Sequence, residues 1–245
     1  MIFSSRLLMT ALAVSLLSVV VPIPANASDL RVAPVIVEPL AGARTSSITL
    51  SNGEAHPVKA QIRVQRWTQE NGQDVLSPTE DVVASPPLAT LKPNEQYLIR
   101  VVRVAKLPPQ GEESYRVLID EIPDSAAVQP GSVKLVLRQS IPVFFSDAPQ
   151  RAPKVDWNVV RDESQLWLTG RNTGDRRIRL SDIDLNASGT PVYMHAGLLG
   201  YVLPGAEMRW PITSTTTLPV GAKIDIKAIA DTGPLEVALV VKPGT

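Results

Sequence analysis

The chain has no cysteine. That excludes a disulfide framework, thiolate-bound zinc, iron–sulfur clusters and a cysteine nucleophile. Histidines number only two, His56 and His195, too few for a histidine-rich metal site. Aromatic residues make up 4% of the chain, so any core must be mostly aliphatic. Neither sign of charge is in excess, with 24 Lys+Arg against 24 Asp+Glu. Without a basic surplus, a phosphate-binding surface is not expected, and nucleic acid is not an expected partner.

Long apolar runs are absent except at the start. Arg6 precedes an uncharged stretch over residues 7–21, and Pro22 and Pro24 follow it. Ala25-Asn26-Ala27 then fits a small-residue cleavage site. Residues 1–27 therefore read as a secretory signal peptide. The apolar stretch would make a helix of about 22 Å, short of the roughly 30 Å hydrocarbon core. Removing 27 of the 245 residues leaves 218, starting near Ser28. This mature chain is expected to be exported and soluble, and is long enough to be stabilised by burial without disulfides.

What is abundant is β-forming pattern. Runs rich in Val, Ile, Leu and Thr alternate with turn clusters such as Asn52-Gly53, Asn71-Gly72 and Lys92-Pro93-Asn94. Candidate strands cover residues 30–38, 45–51, 58–68, 81–84, 96–104, 114–122 and 133–145. Seven strands at that density suit an immunoglobulin-like sandwich. Pro149 and Pro153 mark a linker over residues 149–153. A second series follows at 155–160, 165–169, 177–185, 191–195, 207–212, 223–230 and 236–242. No window shows a capped helical period. The pattern predicts an all-β protein of two sandwiches, an immunoglobulin-like one over residues 28–148 and a smaller one over 154–245.

Catalytic constellations are not evident. There is no G-x-S-x-G elbow, phosphate loop or EF-hand spacing. His56 lies in a turn and His195 reads as a partly buried structural residue. Asp120 and Glu121 are adjacent on a strand, so their side chains diverge. Asp182 and Asp184 would share a face, but with Arg176, Arg177 and Arg179 nearby they read as a solvated charged surface. Trp67, Trp157, Trp167 and Trp210 read as packing residues. No enzyme activity, cofactor or metal is expected.

One segment stands out. Residues 133–145 would make an unusually long strand. Its odd positions are Val133, Leu135, Leu137, Gln139, Ile141, Val143 and Phe145. A small, polar stretch at 124–132 precedes it. A long strand behind such a segment could pair with its own sheet at one end and offer an apolar edge at the other.

Several blocks carry a resemblance. They include Leu30-x-x-x-Pro34 with Val35-Ile36-Val37, Leu50-Ser51-Asn52-Gly53 and Pro86-Pro87-Leu88-Ala89-Thr90-Leu91-Lys92-Pro93. Further along are Gln96-Tyr97-Leu98-Ile99-Arg100, Glu121-Ile122-Pro123, Ile141-Pro142-Val143-Phe144 and Leu199-Gly200-Tyr201-Val202-Leu203-Pro204-Gly205. In this order the chain resembles a periplasmic pilus assembly chaperone of the chaperone–usher pathway, of the archaic or spore-coat-type branch. The resemblance implies two immunoglobulin-like domains set at an angle with a cleft between them, and pilus or fimbrial subunits and an outer-membrane usher as partners. It implies binding by donor-strand complementation, through Val133, Leu135 and Leu137, with Gln139 and Ile141 continuing the strand. Related chaperones anchor a subunit carboxylate with a first-strand Arg and a last-strand Lys. Here Pro34 or Val35 and Pro142 fall near those positions. Arg100 is the expected replacement, with Arg103, Arg116 and Arg138 as alternatives. The resemblance also places Glu113 in an interdomain ion network whose usual Arg falls near Ser146. The other reading is a two-domain structural or adhesive surface protein, such as a pilus component.

Overall fold

The computed structural model describes residues 29–123, 136–147, 152–162, 165–214 and 218–244. The expected leader and the expected donor residues Val133 and Leu135 lie outside them. No helix occurs among the described residues. The first half contains β1 (Leu30–Ala33), β2 (Thr45–Asn52), β3 (Val58–Glu70), β4 (Gln73–Pro78), β5 (Val82–Ser85), β6 (Leu88–Leu91), β7 (Gln96–Arg103), β8 (Glu112–Ile122) and β9 (Arg138–Ser146). The second half contains β10 (Val155–Asp162), β11 (Gln165–Asn172), β12 (Ile178–Ala187), β13 (Thr190–Val202), β14 (Glu207–Ile212), β15 (Lys223–Ala230) and β16 (Gly233–Pro243).

Alternation of side chains builds the first sandwich. Ile48 and Leu50 of β2 and Ile99 and Val101 of β7 point inward from a sheet ordered β1-β2-β7-β5. Val58, Ala60 and Ile62 of β3 and Val117 and Ile119 of β8 meet them from a sheet ordered β4-β3-β8-β9, with β6 also on β3. Strands β4 and β6 escape the sequence pattern. β4 has little apolar content, and β6 follows a Pro-Pro pair that reads as loop. The expected strand at 30–38 divides in two. It pairs with β2 as far as Ala33, then crosses to the other sheet, where Val37 bridges Val143 in parallel.

In the second half, one path of strands, β13-β12-β15-β16-β10-β11-β14, folds over itself. β16 joins its two parts, antiparallel to β15 and parallel to β10. The enclosed core includes Leu168, Leu180, Ile183, Leu185, Ile224 and Ile226. β13 extends well past the expected residue 195, with register shifts in its pairing to β12. Asp182 sits at such a shift with φ 49°, so it does not share a face with Asp184. Asp182 accepts from the Gly197 N–H at 2.7 Å, and Asp184 accepts from Asn186 at 3.0 Å.

The two halves reuse one turn device. Buried Asn52 donates to the carbonyls of His56, Leu91 and Lys92 and accepts from Glu54 N–H. Buried Asn172 donates to the carbonyls of Arg176 and Val202 and accepts from Gly174 N–H. In each case a side-chain amide satisfies turn backbone that would otherwise be buried without partners.

Candidate functional site

β9 defines one side of the site. It pairs antiparallel with β8 along its length, from Asp120↔Arg138 to Glu112↔Ser146. On its other edge the Val37 N–H donates to the Pro142 carbonyl at 2.9 Å, and the Phe144 N–H donates to the Val37 carbonyl at 3.0 Å. From Arg138 to Ile141 that edge has no backbone partner among the described residues. Odd positions face inward: Ile141, Val143 and Phe145 are all in the first core. Gln139 donates to the Leu30 carbonyl at 2.5 Å. Gln139 and Ile141 are thus committed to their own domain. Leu137, one step further out on the same phase, is 38% exposed.

The second side is the junction of the halves. Trp67 of β3, Phe144 of β9, Tyr201 and Leu203 form a small separate core. Trp67 meets Tyr201 edge-on at 5.2 Å between centroids, a favoured aromatic geometry. Gln69 fastens the contact, donating to the Tyr201 carbonyl at 2.9 Å and accepting from Leu203 N–H at 2.8 Å. Beside this cluster Arg177 is buried, with its guanidinium 3.4 Å from the Phe144 ring centroid. It donates to Glu112 Oε2 at 2.5 Å, and its backbone N–H donates to Glu112 Oε1 at 3.1 Å. Glu38, on the segment crossing between sheets, pairs with the same guanidinium. Burial lowers the Arg177 pKa to about 10.

These contacts correct two expectations. The interdomain ion contacts run from Glu112 and Glu38 to Arg177, not through Glu113 and residue 146. Glu113 is held within the first half by a bidentate contact from Arg103, at 2.8 and 2.9 Å, and by the Tyr115 hydroxyl at 2.9 Å. Arg177 is not part of a solvated charged face. The sequence carried no signal that distinguished it from Arg176 and Arg179.

The four expected anchor arginines are not brought together. Arg100 lies on the exposed face of β7, opposite Ser47 and Ser85, outside both the junction cluster and the cleft lining. Arg103 is buried against Glu113. Arg138 is exposed and shares Asp120 with Arg63. Arg116 alone reaches the junction. Its guanidinium stacks 3.7 Å from the Trp67 centroid and 5.6 Å from that of Tyr201. It has no carboxylate in ion-pair range among the described residues, and burial lowers its pKa.

The junction opens into a cleft of about 420 Å³. It is lined by Pro34, Ile36, Val37 and Glu38 of the crossing segment and, from the second half, by Arg176, Arg177 and Arg179 with the carboxylate of Asp231. Among the described residues no group of acidic, His or Cys side chains could hold a metal ion. Nor is any helix there long and apolar enough to cross a membrane. His56 is exposed in its turn, and His195 is half-buried, its Nε2 3.2 Å from the Leu198 carbonyl.

Comparison with known proteins agrees with this architecture. No curated protein matches the chain. Among solved structures, a chain of the CsuC–CsuE chaperone–tip adhesion subunit pre-assembly complex, from archaic chaperone-usher Csu pili of Acinetobacter baumannii, is similar. The identity is 23% and the TM-score 0.66, over 88% of this chain and 99% of that one. The Salmonella enterica SafA pilin–SafB chaperone complex matches at 21% identity and TM-score 0.62, over 88% and 99%. The E. coli chaperone DraB matches at 24% identity and TM-score 0.56, over 86% and 98%. These likenesses establish the two-sandwich fold. The model of the pili and flagellar-assembly chaperone family, PapD N-terminal domain, matches residues 29–150. The chain belongs to the family of pili and flagellar-assembly chaperones.

Proposed function

We propose that this protein is a periplasmic chaperone that binds and stabilises a pilus subunit by lending it a strand, then delivers it to an outer-membrane usher. The observation that carries the reading is the inward face of β9. Its odd positions fill the domain's own core through Ile141, and the same phase then continues to exposed Leu137. Leu135 and Val133 extend that phase in the sequence. Apolar side chains on an extended strand, with an unpartnered backbone edge, are what β-augmentation needs. Fully burying Val133, Leu135 and Leu137 in a subunit would contribute roughly 4–9 kcal/mol before ordering costs. The solved complexes of CsuC with CsuE and of SafB with SafA join a chaperone to a subunit, and the same partnership is proposed here.

The domain limits proposed are 28–148 and 154–245, with the linker at 149–153. The two hydrophobic cores, one drawn from residues between Leu30 and Phe145 and the other between Val159 and Val241, support this division. A leader over residues 1–27 would deliver the chain to the periplasm. Of the four arginines proposed to anchor the subunit, Arg116 is the one that lies against the junction cluster, on Trp67 and Tyr201. The mechanism involves no bond making or breaking. Affinity comes from strand pairing and apolar burial, and release follows when another subunit's extension takes the donor strand's place.

The test is co-expression with subunits encoded beside the gene, followed by capture and purification. The parent should recover folded subunit, and Leu135→Glu should lose it while keeping its own unfolding transition. Capture that survives Leu135→Glu would refute the donor-strand assignment. Failure of the parent to recover any subunit would refute the chaperone reading.

A further inference from the structure

Strand β9 is held unequally along its length. From Ile141 onward its register is over-determined. Ile141, Val143 and Phe145 are buried, and Val37 pairs with the backbone at Pro142 and Phe144. Before Ile141 one edge has no backbone partner among the described residues, and Leu137 is exposed. There β8 alone follows the backbone, as far as the Glu121 N–H, which donates to the Leu137 carbonyl at 3.3 Å. A buried face specifies strand register; an exposed face does not. One residue bulged out at 139–140 would bring Arg138 opposite buried Ile119 and turn Leu137, with everything upstream, to the other face of the sheet.

Two side chains stand at this boundary, one on each face. Gln139 is the one polar residue in the inward phase between Val133 and Phe145. The Asp29 carbonyl accepts from the Gly53 N–H on the β2 side, so the next carbonyl, that of Leu30, points to the free edge of the first sheet. Gln139 reaches that carbonyl at 2.5 Å and so joins β9 of one sheet to β1 of the other. On the outer face Arg138 donates to Asp120, its direct neighbour across β8. Half-buried Asp120 also accepts from Arg63 of β3 at 2.5 Å. A bulge would break both contacts and carry a guanidinium towards the core. We propose that Arg138 and Gln139 are positioning residues, a two-sided clamp that fixes the register and face in which the strand leaves the domain at Leu137. That the strand then enters a captured subunit rests on the chaperone reading; the clamp itself does not. With that reading, the clamp decides which side chains, Leu137 first among them, face the subunit's core.

The absence of cysteine makes the register directly readable in the full mature chain. Continued past Arg138, the β8–β9 register sets Val136 opposite Ile122, next to the hydrogen-bonded pair of Leu137 and Glu121. Such a non-hydrogen-bonded pair has its Cα atoms about 4.5 Å apart, within disulfide range. The bulged register would set Leu135 opposite Ile122 instead. Mild oxidation should therefore close the disulfide of Val136→Cys with Ile122→Cys about tenfold faster than that of Leu135→Cys with Ile122→Cys. Gln139→Met keeps the bulk and removes the donor, and should cut this preference about three- to tenfold. Arg138→Ala should cut it about two- to fivefold, and Arg138→Lys should restore most of it. Melts of the reduced chains separate positioning from stability: a lowered midpoint with the preference intact in both Gln139→Met and Arg138→Ala would overturn the clamp. In co-expression, Gln139→Met combined with Arg138→Ala should capture about fivefold less subunit than the parent. A lost register with undiminished capture would overturn the positioning role. Failure of the parent to capture any subunit would refute the chaperone reading, while the disulfide preference would still support the clamp.

Discussion

Replacing Arg177 with methionine tests what joins the two domains. The wild-type pair is almost fully dry, with side-chain exposure of 3% for Arg177 and 0% for Glu112. Removing one partner of such a pair leaves a buried charge without its counter-ion and costs about 3–5 kcal/mol. Arg177→Met keeps a side chain of similar reach but removes the guanidinium from the buried Glu112 carboxylate, leaving it the backbone N–H of residue 177. Glu112→Leu should cost less, because Arg177 retains Glu38 and its stacking on Phe144. The double replacement removes both charges and should return to within about 1–2 kcal/mol of the parent. Urea unfolding followed by tryptophan fluorescence measures this, since Trp67 lies in the junction cluster. With a slope of about 2–3 kcal/mol per M, Arg177→Met should lower the midpoint by roughly 1–2 M. The reasoning fails if Arg177→Met moves the midpoint by less than about 0.3 M, or if the double variant is as unstable as the two single losses added together.

Other perturbations bear on single links of the argument. Burial raises the Glu113 pKa, but hydrogen bonds from Arg103 and Tyr115 outweigh it and hold the group below its ordinary 4.5. Its stabilising contribution is therefore present above that value and lost as the pH falls through the lower folded one. Glu113→Gln should narrow the stability gap to the parent progressively on acidification below pH 4.5, read by thermal melts; a gap that widens there would contradict the assignment. Asn172→Ala strips its amide from the carbonyls of Arg176 and Val202 and should cost about 1–3 kcal/mol. A loss below about 0.5 kcal/mol in chemical denaturation would show that water replaces the amide there.

How much could be read from the sequence differs by level. Strand identity was largely legible, because alternation at β2, β7 and β15 is a local code: neighbouring residues diverge to opposite faces whatever the rest of the chain does. β4 and β6 were not, since they hold few inward apolar residues and are recruited by pairing with β3. The likeness of the blocks around Ile141-Pro142-Val143-Phe144 led to the family, and the family match agrees.

The cleft was the hard part. Its polar centre pairs Glu112 with Arg177 across 65 positions of chain, and no periodicity reports that distance. Among Arg176, Arg177 and Arg179 the sequence shows three equivalent cations. Only the docking of β8 and β9 against the second domain buries the middle one and leaves its neighbours facing the cavity. The sequence by itself determined a cysteine-free chain of alternating strands, with one apolar phase running through residues 133–145. Tertiary structure alone decided which charges are dry and paired, as Glu112 and Arg177 are, and which stay partly exposed, as Arg176 does. Burial and charge pairing depend on elements far apart in the chain, and those meet only when two separately patterned sandwiches pack together.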